Sequence, residues 1–106
     1  MTAAVVRKWE ASVARSDIDA WYAAYAGRVV PMLQAAEGFA GVSVLLSRED
    51  DPCRITVLSR WDNMSAVERF AGPEPAKTVL PDYMADFYAD YDQTATFHDQ
   101  VLEVMA

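Results

Sequence analysis

The stretch from residue 39 to residue 61 most constrains what this chain can become. Residues 39–48 (FAGVSVLLSR) and 54–61 (RITVLSRW) are rich in β-branched and aromatic side chains, and the four residues between them, Glu49-Asp50-Asp51-Pro52, are turn formers. The pattern predicts a hairpin. Ahead of it, residues 5–13 (VVRKWEASV) read as a further strand. Between that strand and the hairpin, Ile18, Tyr22, Tyr25, Val29 and Met32 recur at spacings of three and four, one stripe of a helix. Ser16 is placed to cap it, with Asp19 as the capping-box acid. Pro31 predicts a kink or an early end near Val30, and Glu37-Gly38 stops the helix by left-handed capping. Beyond the hairpin, Asp62 or Asn63 is placed to cap a short helix over 64–70, and Gly72-Pro73-Glu74-Pro75 interrupts it. A second helical piece is expected over 81–91 and a last strand over 94–104 (TATFHDQVLEV). The order β-α-β-β-α-β is the split βαβ pattern of an α+β, ferredoxin-like domain: a four-stranded antiparallel sheet with helices on one face.

The other face carries the next expectation. The 106 residues suffice for one domain, 1–106, with no repeat or linker. A domain this small buries only about 60–70% of the surface its unfolded chain exposes. A sheet with one wet face alternates apolar and polar residues. Here Val42, Val44 and Leu46 point one way and Leu45 the other, while Ile55, Val57 and Trp61 oppose Leu58. Both faces call for cover in places, which predicts a homodimer packing two open sheet faces into a barrel. A monomer with a few exposed apolar residues is the alternative.

Charge and cysteine content narrow the function. The net charge is −7 and there is no Lys/Arg cluster, so neither nucleic acid nor an anionic membrane surface is an expected partner. One cysteine, Cys53, and one histidine, His98, make no disulfide and no metal-ligand pattern. Asp82, Asp86 and Asp90, spaced by four, with Glu74 and Asp92 nearby, read as a solvated acidic face rather than a metal site. Residues 1–6 show no basic-then-apolar leader, and no run approaches 18 apolar residues. The expectation is a soluble cytoplasmic protein.

The segment Ser59-Arg60-Trp61-Asp62-Asn63-Met64-Ser65-Ala66-Val67-Glu68-Arg69-Phe70-Ala71-Gly72 resembles the part of antibiotic biosynthesis monooxygenase domains where the third strand ends in Trp-Asp and the next helix in Phe-Ala-Gly. Glu37-Gly38-Phe39-Ala40-Gly41-Val42 resembles their Pro-Gly-Phe-x-Gly approach to strand two, and His98 matches a histidine often found in their last strand. The resemblance covers nearly the whole chain. It implies a dimeric α/β barrel with a pocket in each subunit between the helices and the inner sheet face. Some members oxidise polycyclic phenols to quinones with O2 and neither metal nor flavin; others degrade haem; many have no known activity. The haem-degrading members resemble one another in an Asn on strand one, a Trp on the helix after strand three and a His beyond it. Here strand one has no Asn, Phe70 stands in place of the Trp, and Leu80 lies near the place of the His.

Cofactor-free oxygenation requires an acidic substrate that becomes an electron-rich anion, and a protein that accepts a proton, stabilises the anion and excludes water. His98, with an ordinary pKa of about 6.5, suits the base; a histidine without a chemical task is the alternative. Arg60 and Arg7 are candidates to hold the anion, or else partners of surface acids. Trp61, Trp9, Tyr25, Tyr22, Phe70 and Tyr83 are candidates for the aromatic wall, or for plain core packing, and Tyr88 carries a further hydroxyl. The expected partners are a second copy of the chain and a small aromatic molecule, with no bound cofactor. A non-catalytic ligand-binding or accessory barrel is the alternative function.

Overall fold

The computed structural model describes residues 4–106; residues 1–3, part of the N-terminal stretch considered for a leader, lie outside the described residues. β1 (Val5–Val13) is the spine, with Val5, Arg7, Trp9, Ala11 and Val13 buried in period-two alternation. β2 (Phe39–Leu46) and β3 (Cys53–Trp61) form the expected hairpin, and β3 runs antiparallel to β1 from Val5↔Trp61 to Val13↔Cys53. β4 (Tyr88–Tyr91) and β5 (Thr96–Asp99) share the far side of β1, β4 beside Ala11–Val13 and β5 beside Val5–Lys8. The lanes run β2, β3, β1, then β4 and β5 end to end, all antiparallel. This is the ferredoxin-like arrangement, with its fourth lane built from two short strands. The sheet is open at both edges.

That broken lane corrects two expectations. Only Asp82–Ala85 (α4) of residues 81–91 is helical, and Tyr88–Tyr91 is a strand. The aromatic rings decide it: Tyr88 packs edge-on against Trp9 at 5.3 Å and Tyr91 lies 6.2 Å from the same indole, contacts that an extended segment beside β1 provides. Asp90 therefore sits on β4 and not on a helical face with Asp82 and Asp86. The last strand ends at Asp99, and residues 100–106 have no regular structure. Cys53, directly after the turn residues, opens β3 and is buried.

The helix facing the sheet is continuous but irregular: α1 (Ile18–Ala24), a π-helical turn at Tyr25–Val29, then α2 (Val30–Gln34). Pro31 has no N–H, and in a regular helix its ring meets the carbonyl four residues back. The turn ahead of it is wide, and the Val30 N–H bonds to the Tyr25 carbonyl, five residues away. The extra residue rotates the remainder of the helix. The inward stripe is Trp21, Tyr25, Val29 and Leu33, with Tyr22 66% exposed and Met32 on the rim, where simple helical spacing puts both inside. No side chain caps the start of α1. A 3-10 turn at Arg15–Asp17 occupies that place, so Ser16 does not cap as expected.

α3 (Met64–Ala71) begins as expected, with the Asn63 side-chain oxygen accepting from the Ala66 N–H at 2.9 Å. Gly38 lets α3 approach β2: its φ is +83°, and a Cβ there would collide with the Ala66 Cβ. Gly38→Ala meets both the backbone strain and the clash, and is expected to lower stability by roughly 2–4 kcal/mol in urea denaturation. The helices all lie on the Val5/Trp9/Ile55/Trp61 face, and Trp61 is fully buried between Phe39 and Phe70 (ring centroids 5.4 and 5.0 Å). Among the described residues no helix is long and apolar enough to cross a membrane.

Candidate active site

Arg7 is the anomaly of the covered face. The β1 alternation points it inward between Val5 and Trp9, where it is only 8% exposed. Its cross-strand neighbour on β3 is Ser59, the one polar residue on the covered face of that strand's tryptophan end. The guanidinium is held by neutral groups: Nη2 donates to the Lys77 carbonyl at 2.8 Å and Nε to the Pro75 carbonyl at 3.2 Å. Among the described residues, the ion pairs all belong to Arg54, and none reaches Arg7.

Those bonds fasten a strap across the sheet. The Trp9 indole N–H is shared between the Asp92 carbonyl at 2.8 Å and the Thr78 hydroxyl at 3.0 Å, and that hydroxyl itself donates to Asp92 O. Backbone bonds Thr78 N–H to Gln93 O (3.1 Å) and Ala95 N–H to Ala76 O (2.6 Å) tie the same strap to the break between β4 and β5. The interruption of the fourth lane is therefore what receives the strap. The chain then continues as Val79, Leu80 and Pro81, which roof a cavity above β1.

The cavity has a volume of about 60 Å³, room for a few waters. Its walls are mostly apolar: Trp9, Val57, Phe70 and Met84, with Val29 and Leu33 from the inward helical stripe. The polar groups are Arg7, Ser59, Tyr25 and Tyr88. Burial pushes the Tyr25 hydroxyl well above the ordinary tyrosine value; Tyr88 adds to the rise, and Arg7 partly opposes it. Burial also raises Tyr88, against the Trp21 indole that donates to its oxygen at 3.2 Å. Desolvation lowers Arg7, and proximity to Tyr25 works the other way. The result is a small cavity containing a cation with no acidic partner among the described residues and two phenols held protonated. Such a site favours an anion and supplies hydrogen-bond donors to oxygen.

Of the residues singled out from the sequence, Arg7, Trp9, Tyr25 and Phe70 come together in this cavity. Trp61 lies beneath it as core, its indole bonded to Ser59 Oγ at 3.0 Å. Tyr22 faces a separate groove of about 440 Å³ between the helix and β2, in which Tyr25 is again a wall. Tyr83 stands under the Arg28 guanidinium, 3.6 Å above its ring centroid. Arg60 and His98 are on the opposite face of the sheet: Arg60 donates to Ser43 Oγ at 3.1 Å, and the exposed His98 Nε2 lies 2.8 Å from Thr96 Oγ1. Both flank Val6, a residue of the uncovered side of β1. The structure thus does not bring His98 or Arg60 to the cavity holding Arg7. Sequence reasoning missed Ser59, Met84 and the Val79 and Pro81 roof. Ser59 was legible as the polar member of an otherwise apolar alternation on β3, whereas the roof depends on contacts remote in sequence.

No curated protein matches the chain in sequence. Solved structures share its fold at low identity. A Bacillus cereus protein named for the antibiotic biosynthesis monooxygenases is 15% identical, with 98% of this chain and 99% of that one covered and a TM-score of 0.69. A monooxygenase from the gene ActVA-Orf6 of Streptomyces coelicolor, in complex with nanaomycin D, is 14% identical, with 98% and 93% covered and a TM-score of 0.67. A variant of MhuD with two manganese protoporphyrin IX molecules per active site is 17% identical, with 96% and 99% covered and a TM-score of 0.68. At these identities the likeness establishes the fold. The family described as antibiotic biosynthesis monooxygenase matches residues 4–80, the span that carries β1, the irregular helix, the hairpin, α3 and the strap, and the chain belongs to that family.

Proposed function

We propose that the cavity binds a planar phenolic molecule as its anion and oxidises it with O2 to a quinone, without flavin or metal, in a homodimer. The observation that carries this reading is Arg7, a buried cation that has only carbonyl partners among the described residues and borders a cavity with aromatic walls. A phenolate or enolate oxygen supplies the missing charge. With an anthrone the balance is direct: the methylene carbon loses two hydrogens and gains one oxygen atom as a carbonyl, and the second oxygen atom leaves as water. Arg7 stabilises the anion that gives up electrons. Tyr25 and Tyr88, held protonated, donate hydrogen bonds to the oxygen being reduced.

The cavity of about 60 Å³ is smaller than a three-ring phenol requires, since pockets for such ligands run to about 300 Å³ and more. Admission therefore displaces the Val79–Pro81 roof, which carries no strand or helix of its own. The complex of the Streptomyces coelicolor monooxygenase with nanaomycin D supports a ligand of this kind in the same fold.

The test is O2 uptake with an anthrone, using protein freed of flavin and metal. One O2 consumed per quinone formed is expected. Tyr25→Phe should slow turnover about tenfold, the worth of one hydrogen bond in the transition state. His98→Ala should keep the wild-type rate, because the imidazole lies on the far face of the sheet. Uptake that appears only on adding flavin or iron overturns the reading. No uptake, with anthrone still quenching tryptophan fluorescence, leaves a binding protein.

A further inference from the structure

We propose that Ser59 is a second binding residue of the cavity: its hydroxyl donates to the ligand oxygen that Arg7 Nη1 holds, so that a guanidinium on β1 and a hydroxyl on β3 grip one anion from adjacent strands. The inference rests on the anion-binding part of the reading above and adds to it the second donor.

The covered face of β1 and β3 is a ladder of buried pairs. Val5 faces Trp61, Trp9 faces Val57, Ala11 faces Ile55 and Val13 faces Cys53. A single rung is polar, Arg7 with Ser59, and it lies between two of the apolar ones. Directly paired residues on antiparallel strands have Cβ atoms about 4.5–5.5 Å apart. The guanidinium stem and the hydroxyl therefore leave the sheet at the same level, and both line the cavity.

Counting donors shows what that rung leaves over. A serine hydroxyl has one proton to donate and two lone pairs. The Trp61 indole N–H donates to Ser59 Oγ at 3.0 Å and uses a lone pair. The proton has the Arg7 carbonyl as its acceptor at 3.4 Å, longer than the usual O–H···O range of about 2.5–3.0 Å. Serving the indole needs only the oxygen, so the proton is held loosely. Arg7 is in a similar position. Its Nε and Nη2 donate to the Pro75 and Lys77 carbonyls, and Nη1 has no acceptor among the described residues. No carboxylate among the described residues lines the cavity to take either donor. A phenolate oxygen accepts both, and a hydrogen bond to an ionised acceptor is roughly twice as strong as a neutral one. Ser59 thereby favours the ionised form of the ligand over the neutral phenol.

The test reads the ionisation of bound 4-nitrophenol, a single-ring phenol that ionises near neutral pH and whose phenolate absorbs in the visible. The titratable groups lining the cavity among the described residues are Arg7, Tyr25 and Tyr88, none of which titrates near neutrality. Wild-type protein should bind the phenolate in preference to the phenol, shifting the visible titration to lower pH. Ser59→Ala should reduce the bound phenolate-to-phenol ratio about three- to tenfold at a given pH. Trp61→Phe is the control: it breaks the same internal hydrogen bond but keeps the hydroxyl, so its titration should match the wild type. Urea denaturation confirms that both variants are folded. If Ser59→Ala titrates as the wild type does, or if Trp61→Phe shifts as far as Ser59→Ala, the hydroxyl serves the core alone and the inference is overturned. A wild-type protein that does not bind the phenolate overturns the anion site and this inference together. A phenolate shift that depends on Ser59, in a protein without O2 uptake on anthrone, removes the oxidation and leaves the two-donor site standing.

Discussion

Arg7→Met is expected to abolish anthrone oxidation while leaving a folded protein. The two properties separate because Arg7 does two things. As the only cation lining the cavity among the described residues it sets the charge there, and losing a preorganised charged donor slows catalysis by roughly a hundredfold or more. As a fastener it donates to Pro75 O and Lys77 O, and their loss exposes two carbonyls. That loss costs about 1–3 kcal/mol per bond, but removing an uncompensated buried cation offsets much of it. The net change in stability should be small, about 1–2 kcal/mol. The strap should show it: limited proteolysis between residues 72 and 81 is expected to speed up, while the urea midpoint moves little. A variant that loses activity only in proportion to lost folded protein would refute an electrostatic role for this guanidinium.

Trp61→Ala should have the largest effect on stability. The side chain is fully buried, contacts the Phe39 and Phe70 rings, and its indole N–H bonds to Ser59 Oγ. Truncating such a residue costs about 3–5 kcal/mol, against a total of about 5–15 kcal/mol for a domain. A large fall in the urea midpoint, or no folded protein at all, is expected. Trp61→Phe retains most of the packing and loses the hydrogen bond, so about 1–2 kcal/mol is the expected loss. With the ring in the core and outside the cavity lining, kcat in the Phe variant should match the wild type; a drop in kcat without a change in stability would place Trp61 at the substrate after all.

The central hairpin and the first strand were legible because alternation is a local signal: Ile55, Val57 and Trp61 fall on one face in sequence and in structure. The Asn63 cap was legible for the same reason. The helix between them was half legible. Its existence follows from spacing, but its phase depends on a wide turn ahead of Pro31 that no periodicity template contains, so spacing alone draws Tyr22 and Met32 inside in place of Trp21 and Leu33. Residues 81–91 were expected as helix, yet the partner that makes Tyr88 and Tyr91 a strand is Trp9, about eighty residues earlier. The cavity was legible in its residue types and not in its membership. Arginine and aromatic side chains were the right kinds, and Arg7, Trp9, Tyr25 and Phe70 are there. Which face of the sheet each strand residue uses comes from counting along β1, and that count separates Arg7 from His98.

The strap is gripped almost wholly through main-chain oxygens: Pro75 and Lys77 by Arg7, Ala76 by the Ala95 N–H. Every amino acid carries such an oxygen. The fastening is therefore blind to the identity of what it fastens, apart from Thr78, whose hydroxyl shares the indole. Val79, Leu80 and Pro81 can be exchanged for larger, smaller or polar residues without loosening the anchor beside them. A lineage built on this plan is free to retool the chamber's ceiling for new guests while its floor and its hinge points stay fixed.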